Sequence, residues 1–411
     1  MISPVVLPHS GPPQAWPPSP AVFSYSSLKA LEACPRQWAL RKAAYPALWQ
    51  GRGYPGRPNG HQLRGILLHG ALEDIARALV RESGPRKTMG DALRQLGGLS
   101  AVLKARVARI GAELRSNPRA SAAVAELERE AAQNLGQLRS QLQDLVSRLP
   151  HTAGVAGPVG QVGTAKGEGA ALAAGLHTEV TLHHRGANLM GVVDLLALTS
   201  EGACIVDFKT GKQADDHVLQ LRIYALLWLH DADRNPEGRP VTALTIRYPT
   251  GDQVVPVPSV ADLHQLEADL QERTRLAREK LDQSPPRAQC GSHCFACDVR
   301  HLCPEYWSGP APDSPEEVGR GRCDLELTLT GEHRGGLSDG LARAVPGSTP
   351  AAPVQVRWAG ASQQAWQGLA RGRALRVLGA IWKAPDALEG GMPVVVLAEG
   401  TEVFVEQEDG A

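Results

Sequence analysis

The chain has little of what would mark it, by composition alone, for a membrane, a secretory route or a long nucleic acid. No apolar run approaches the ~18 residues of a membrane span, which excludes a transmembrane helix. Aromatic residues make up 4% of the 411, too few for an extensive base-stacking surface. Net charge is zero, with 43 Lys and Arg against 43 Asp and Glu, so only a local basic channel could attract a polyanion. No Walker A pattern is present, so no helicase motor is built in. No repeat of solenoid period appears. The opening MISPVVLPHSGPPQAWPPSP lacks both the basic start and the apolar stretch of a secretory signal, and a cytoplasmic protein is expected. Its prolines predict an extended, disordered tail over residues 1–21.

What is present fills two or three domains, given the length and an ordinary 43% of hydrophobic residues. Ser24 or Ser26 can cap a helix carrying Leu28 and Leu31, and Cys34-Pro35 predicts a break before a second helix. Leu68, Leu72, Ile75 and Leu79 form one buried helical face, with His69 and Glu73 as the adjacent stripe. Residues 88–150 read as a helical insertion of two or three helices with solvated charges, and 151–175 as a flexible Gly/Ala-rich connection.

Strand signals follow: LHTEVTL, ANLMGVVDLLAL and GACIVDFKT, with Val192, Asp194 and Leu196 on one face, and Ile205, Asp207 and Lys209 on one face. A helix from about Asp216 to His230 sets Gln220 and Tyr224 one turn apart, and two more strands and an amphipathic helix from Ala261 to Asp282 come next. The cysteine-rich CGSHCFACDVRHLC closes a domain spanning 22–305. A linker is expected over 306–322. Residues 323–411 carry five strand-like runs, CDLELTLTG, PVQVRWAG, GRALRVLGAIWK, MPVVVLAEG and TEVFVEQ, which suggest a small β-barrel of the OB or SH3-like kind.

Asp194 and Asp207 bring two carboxylates to neighbouring strands, as a hard divalent cation requires. The Phe208 carbonyl could add a third oxygen, and His69 an imidazole suited to Mn²⁺. Lys209 shares the side of Asp207, where its ammonium could orient a water or neutralise charge at a phosphodiester. An isolated Asp-x-Lys is too short a pattern to carry this and is far more often an ordinary ion pair at strand ends. Here it is nested between a Gly-x-x-Asp strand and a Gln-x-x-x-Tyr helix.

This ordered set resembles the RecB-type branch of the PD-(D/E)XK nuclease superfamily. The matching residues are His69 in GILLHGALE, Asp194 in GVVD, Asp207 and Lys209 in VDFKTG, and Gln220 with Tyr224 in LQLRIYALLW. Val193 stands where the nominal motif has Pro. The resemblance covers residues about 22 to 305. It implies an α/β core with a mixed sheet flanked by helices. His69, Asp194, Asp207 and Lys209 become the metal-binding and catalytic set, with Gln220 and Tyr224 flanking it. A Mg²⁺- or Mn²⁺-dependent deoxyribonuclease follows. The expected activity is that of an exonuclease on single-stranded DNA or DNA ends, in repair, recombination or mobile-element defence, with a separate helicase or other repair protein as partner. The alternative is a catalytically silent DNA-binding or scaffold protein that keeps the fold. Glu179, one strand earlier, either touches metal or DNA or is a solvated strand residue.

The seven cysteines are an odd number, poor material for a disulfide framework in a reducing compartment. Cys294-x₂-Cys297-x₅-Cys303 offers three ligands and lacks a fourth. On that cluster alone a structural Zn²⁺ site is the better reading, with Cys290, His293 or His301 available. The resemblance points elsewhere. Iron–sulfur nucleases of this branch, AddB-like, use one cysteine before the nuclease core and three just after it. That implies a [4Fe–4S] cluster on Cys34, Cys294, Cys297 and Cys303. Cys290 would then be free, Cys204 a small hydrophobe on a strand, and Cys323 unassigned. Arg36, Arg41, Lys42, Arg52, Arg57 and Arg64 concentrate positive charge near Cys34 and His69, and either track a phosphate backbone or are simply solvated. Trp358, Trp366 and Trp382 either stack bases or fill the barrel core, the core being the default.

Overall fold

The computed structural model describes residues 5–9, 13, 15–46, 53–80, 88–149, 170–308, 322–331, 337–345, 351–358, 372, 374–383, 392–398 and 400–406. Arg52, Trp366 and most of the expected connection and linker lie outside these residues.

A strand β1 (Val5–His9) precedes β2 (Phe23–Ser24), α1 (Tyr25–Ala33) and α2 (Pro35–Lys42). The expected break falls at Cys34. Its extended backbone ends α1, its sulfur accepts from the Gln37 amide, and Pro35 takes the first helical position, where a missing donor costs nothing. Then come α3 (Gly60–Val80), α4 (Met89–Gln95), α5 (Leu99–Leu114), α6 (Ser121–Gln133) and α7 (Leu135–Ser147). The insertion thus holds four helices rather than two or three. Gly97 and Gly98, both at positive φ, separate α4 from α5, a break the lone Pro118 did not announce.

A mixed sheet is formed by β2 with β3 (Gly175–His184), β4 (Leu189–Leu198), β5 (Ala203–Phe208), β6 (Val241–Tyr248) and β7 (Gly251–Val255). The β3–β4, β4–β5 and β6–β7 pairs are antiparallel, and β5–β6 is parallel. The parallel step needs a crossover, supplied by α8 (Asp215–His230). One face packs on α8 and α9 (Val260–Leu281) through Val180, Val193, Ile205, Leu221, Trp228 and Leu270. The other packs on α3 and the insertion through Leu195, Val206, Leu68, Leu72, Leu103 and Leu142. The insertion is therefore one covering layer of the sheet. Among the described residues no helix is long and apolar enough to cross a membrane.

After the cysteine loop and α10 (Pro304–Ser308) come β8 (Arg322–Leu329), β9 (Leu337–Val345), β10 (Ala352–Trp358), β11 (Ala374–Lys383), β12 (Val394–Leu397) and β13 (Glu402–Glu406). The first five close a ring in the order β8-β9-β10-β12-β11 and back to β8, with β10–β12 its one parallel pair. This is an OB-like five-stranded barrel. The ring differs from the five expected runs. β9, LSDGLARAV, belongs to it, and TEVFVEQ does not; β13 instead flanks β11 outside the ring. Trp358 is buried and packs in the barrel core, as does half-buried Trp382.

Two further expectations are corrected. The tail is partly structured: β1 runs parallel to β13, with Val5 opposite Glu402 and His9 opposite Glu406. Pro8 is tolerated because β1 is an edge strand and needs donors on one side only. Tyr306 and Trp307, assigned to the linker, are buried among Leu7, Tyr54, Leu302, Leu378 and Phe404. That cluster joins barrel, cysteine loop and the chain after α2. At its edge Arg119, from the turn between α5 and α6, makes a two-pronged bond to Glu402 at 2.7 and 2.8 Å, with side chains 0% and 3% exposed. Not all of the insertion's charges are solvated.

Candidate active site

The β4–β5 ladder stops at Leu195 opposite Val206. Beyond it the strands part, and the two carboxylates lie at that point. Asp194 takes over from the ladder: its Oδ2 accepts from the Phe208 amide at 2.7 Å. Asp207 is 1% exposed, with Lys209 Nζ 2.8 Å from its Oδ2. Lys209 also donates to Gln220 Oε1 at 2.9 Å, and Gln220 Nε2 to the Tyr224 hydroxyl at 2.7 Å. A short relay thus runs from the strand onto α8. Gly191 lets α8 sit this close, since a Cβ there would meet the Tyr224 ring at 2.8 Å and Leu227 at 2.9 Å.

His69 reaches the site from α3, its Nε2 3.2 Å from Asp194 Oδ1 and 3.6 Å from Glu179 Oε1. The register on either side, Thr178 opposite Leu195 and Val180 opposite Val193, sets Glu179 across from Asp194. Glu179 stands at φ 53, in the left-handed region. Alternation breaks at both residues. Val193 packs toward α8 but Leu195 toward α3, so Asp194 and Leu196 do not share a face as expected. Glu179 is no solvated strand residue; with His69 and Asp194 it forms one group whose ligand atoms lie within 4.8 Å of each other. The hairpin turn at Arg185–Ala187 already carried this signal, because counting outward from it pairs Glu179 with Asp194.

Burial, then the charge of Asp194, pushes Asp207 up to about 7, against the opposing pull of Lys209 and His69. Burial alone would lower the pKa of His69. Asp194, followed by Glu179 and Glu73, outweighs it and raises His69 to about 9. The carboxylates around His69 thus favour its protonated form. The donors fit a divalent ion: carboxylate oxygens that repel one another, and one imidazole. Glu73 is occupied elsewhere, ion-paired to Arg77 and to Arg106 of the insertion.

Among the described residues, the arginines of this basic group are all paired. Arg36 is bound two-pronged to Glu305, Arg41 to Asp298, Arg57 to Glu402, and Arg64 to Glu130. Lys42 is exposed.

A matching sequence model closes the question of kinship, covering residues 22–304 and described as the PD-(D/E)XK nuclease superfamily. The chain belongs to the PD-(D/E)XK nuclease superfamily. No curated protein matches it significantly. The superfamily match runs from β2 to the start of α10, so it includes the cysteine loop and stops before the barrel. Members of the superfamily are typically nucleases and use divalent metals.

Cys34, Cys294, Cys297 and Cys303 line one small pocket, together with Cys290 and His293. Cys34 Sγ accepts from the amides of Gln37 and Gln289 at 3.4 and 3.5 Å, and Cys294 Sγ from that of Gly291 at 3.4 Å. Burial pushes the thiols of Cys297 and Cys303 up to about 12. No three of these sulfurs converge within 4.8 Å, as far as the described residues go. Cys204 on β5 and Cys323 on β8 lie elsewhere.

Proposed function

We propose that this nuclease-superfamily chain is a Mg²⁺- or Mn²⁺-dependent deoxyribonuclease, acting as an exonuclease on single-stranded DNA or DNA ends. The observation that carries the reading is the convergence of His69, Glu179 and Asp194 where β4 and β5 part, with buried Asp207 close enough to feel the charge of Asp194 and Lys209 held beside it. His69, Asp194 and Glu179, whose ligand atoms already converge, would hold the metal together with Asp207 and the Phe208 carbonyl. The bound ion would supply Lewis-acid stabilisation of phosphoryl charge and a more acidic water. His69 gives up its proton to serve as ligand. Lys209 points its ammonium at the reacting phosphate or its water, and Gln220, itself held by Tyr224, limits the positions that ammonium can take. The arginine pairings and the neutral net charge favour a confined strand end over a long duplex track. Because the chain carries no Walker A pattern, unwinding falls to a separate helicase or other repair protein, in repair, recombination or mobile-element defence. Seven free cysteines support a reducing, cytoplasmic setting.

End-labelled single-stranded DNA should shorten progressively in Mn²⁺ or Mg²⁺ and stay intact once a chelator removes the metal. DNA binding without cleavage when metal is restored would make the chain a silent scaffold instead.

The same reading gives Cys34, Cys294, Cys297 and Cys303 a [4Fe–4S] cluster. What supports it is the pocket that all four cysteines line, with backbone amides donating to the sulfurs of Cys34 and Cys294. Anaerobically purified protein should be brown and carry about four irons per chain, and Cys34→Ser should lose them. A colourless protein with one zinc would exclude the cluster.

A further inference from the structure

A second group of metal-type ligands lies well away from the carboxylate site. His184 ends β3, His230 ends α8, and Glu267 lies within α9. The two imidazole rings are stacked in parallel, centroids 4.1 Å apart at 3°. Both face the one carboxylate: His184 Nε2 is 2.7 Å from Glu267 Oε1, and His230 Nε2 is 3.9 Å from Oε2. All three ligand atoms lie within 4.8 Å of one another. Only His184 reaches hydrogen-bond distance of the carboxylate, so an atom between the three would engage His230 as well. Metal–ligand bonds of ~2.0–2.2 Å place tetrahedral donors roughly 3.4 Å apart, so about an ångström of closure is needed, and because an imidazole binds through a lone pair in its own ring plane, one of the two stacked rings must also turn before both can share an ion.

The backbone around these ligands is fixed. Asp231, 3% exposed, accepts from the His183 amide at 2.8 Å and from the amides of Asp233 and Arg234 at 3.1 and 2.9 Å. This ties the end of β3 to the end of α8, and so His184 to His230. Gln271 donates to Glu267 Oε1 at 3.3 Å from the next turn of α9. Supports of this kind orient ligands before a metal arrives. His264, three residues before Glu267 on α9, lies close enough to His230 for their charges to interact.

We propose that His184, His230 and Glu267 bind a divalent transition-metal ion of the zinc class, as a latch joining β3, α8 and α9. Two imidazoles and one carboxylate are a zinc-type donor set, too soft for Mg²⁺. His230 is ten residues beyond Gln220 on α8, roughly 15 Å along the helix, so the latch is separate from the site of cleavage. It does not depend on the proposed nuclease reading. The latch braces α9, the helix that leads into the cysteine loop.

The test is zinc titration of full-length, metal-stripped protein, read by bound zinc per chain and by melting temperature. Wild type should bind one zinc more per chain than His230→Gln, and the rise in melting temperature from that zinc should vanish in the variant. Cys303→Ser should keep the latch zinc, which separates it from any zinc in the cysteine cavity. Mn²⁺-supported DNA cleavage should be unchanged in His230→Gln. If His230→Gln does not fold, Glu267→Gln serves the same comparison. Equal zinc stoichiometry and equal thermal shift in wild type and variant would overturn the proposal.

Discussion

Asp207→Asn is expected to lower DNA cleavage by ~10²–10⁴-fold while leaving the metal-free protein as stable as before or more so. The loss of activity follows from the metal-ligand role proposed for this carboxylate. The stability gain follows from burial. Asp207 is 1% exposed and is raised from its ordinary value to about 7, chiefly by desolvation and then by Asp194. Such a carboxylate holds a proton in the folded chain that the unfolded chain has already released. Its ionisation therefore costs stability progressively as pH rises from about 4 to about 7, and the cost is fully present above that. Asparagine does not titrate. The variant's advantage in melting temperature should be absent near about pH 4 and largest near about pH 8, in chelator. Added Mn²⁺ should raise the wild-type melting temperature and leave the variant's almost unmoved. Lys209→Ala should lose cleavage as well but retain metal binding. Wild-type cleavage rates in both variants would remove these residues from the site.

The second large effect concerns folding. Arg119→Ala should destabilise the chain by ~3–5 kcal/mol, read from the midpoint of chemical denaturation. Glu402 is 3% exposed and would keep its charge with its two-pronged partner gone. Arg119 also donates to the Pro55 carbonyl at 3.0 Å and lies over the Tyr54 and Phe404 rings. One substitution thus loosens the turn of the insertion, the segment after α2 and the barrel together. Replacing both charges, Arg119→Met with Glu402→Leu, should cost less than Arg119→Ala, because the one charge then left without its partner is Arg57, whose side chain is 32% exposed and still reaches water. A loss below about 1 kcal/mol for Arg119→Ala would mean water reaches Glu402.

Asp194, Asp207, Lys209, Gln220 and Tyr224 could be placed from sequence because each sits at a fixed offset within one hairpin and the helix after it. His69 could be placed because one apolar helical face fixes the stripe beside it. Glu179 was harder, since period-two alternation does not anticipate a left-handed residue. The same break moved Leu196 to the opposite face from Asp194. β9 went unseen because Ser338, Asp339 and Gly340 carry no strand signal of their own, and pairing with β8 and β10 supplies it. The arginines near Cys34 and His69 read as a basic track because their partners, Glu305, Asp298, Glu402 and Glu130, are remote in sequence.

The pairing of β1 with β13 bears on how the chain is made. Val5 and Glu402 are partners in one ladder, yet they stand almost 400 positions apart in the chain. At ~5–20 residues per second, β1 waits roughly 20–80 s after synthesis for the strand it pairs with. Leu7 spends that interval without Phe404 and Leu378, its neighbours in the shared cluster. The sheet and its helices can assemble on the ribosome meanwhile. The wall that seals the cysteine loop against the barrel closes last, when both ends of the ladder are finally present.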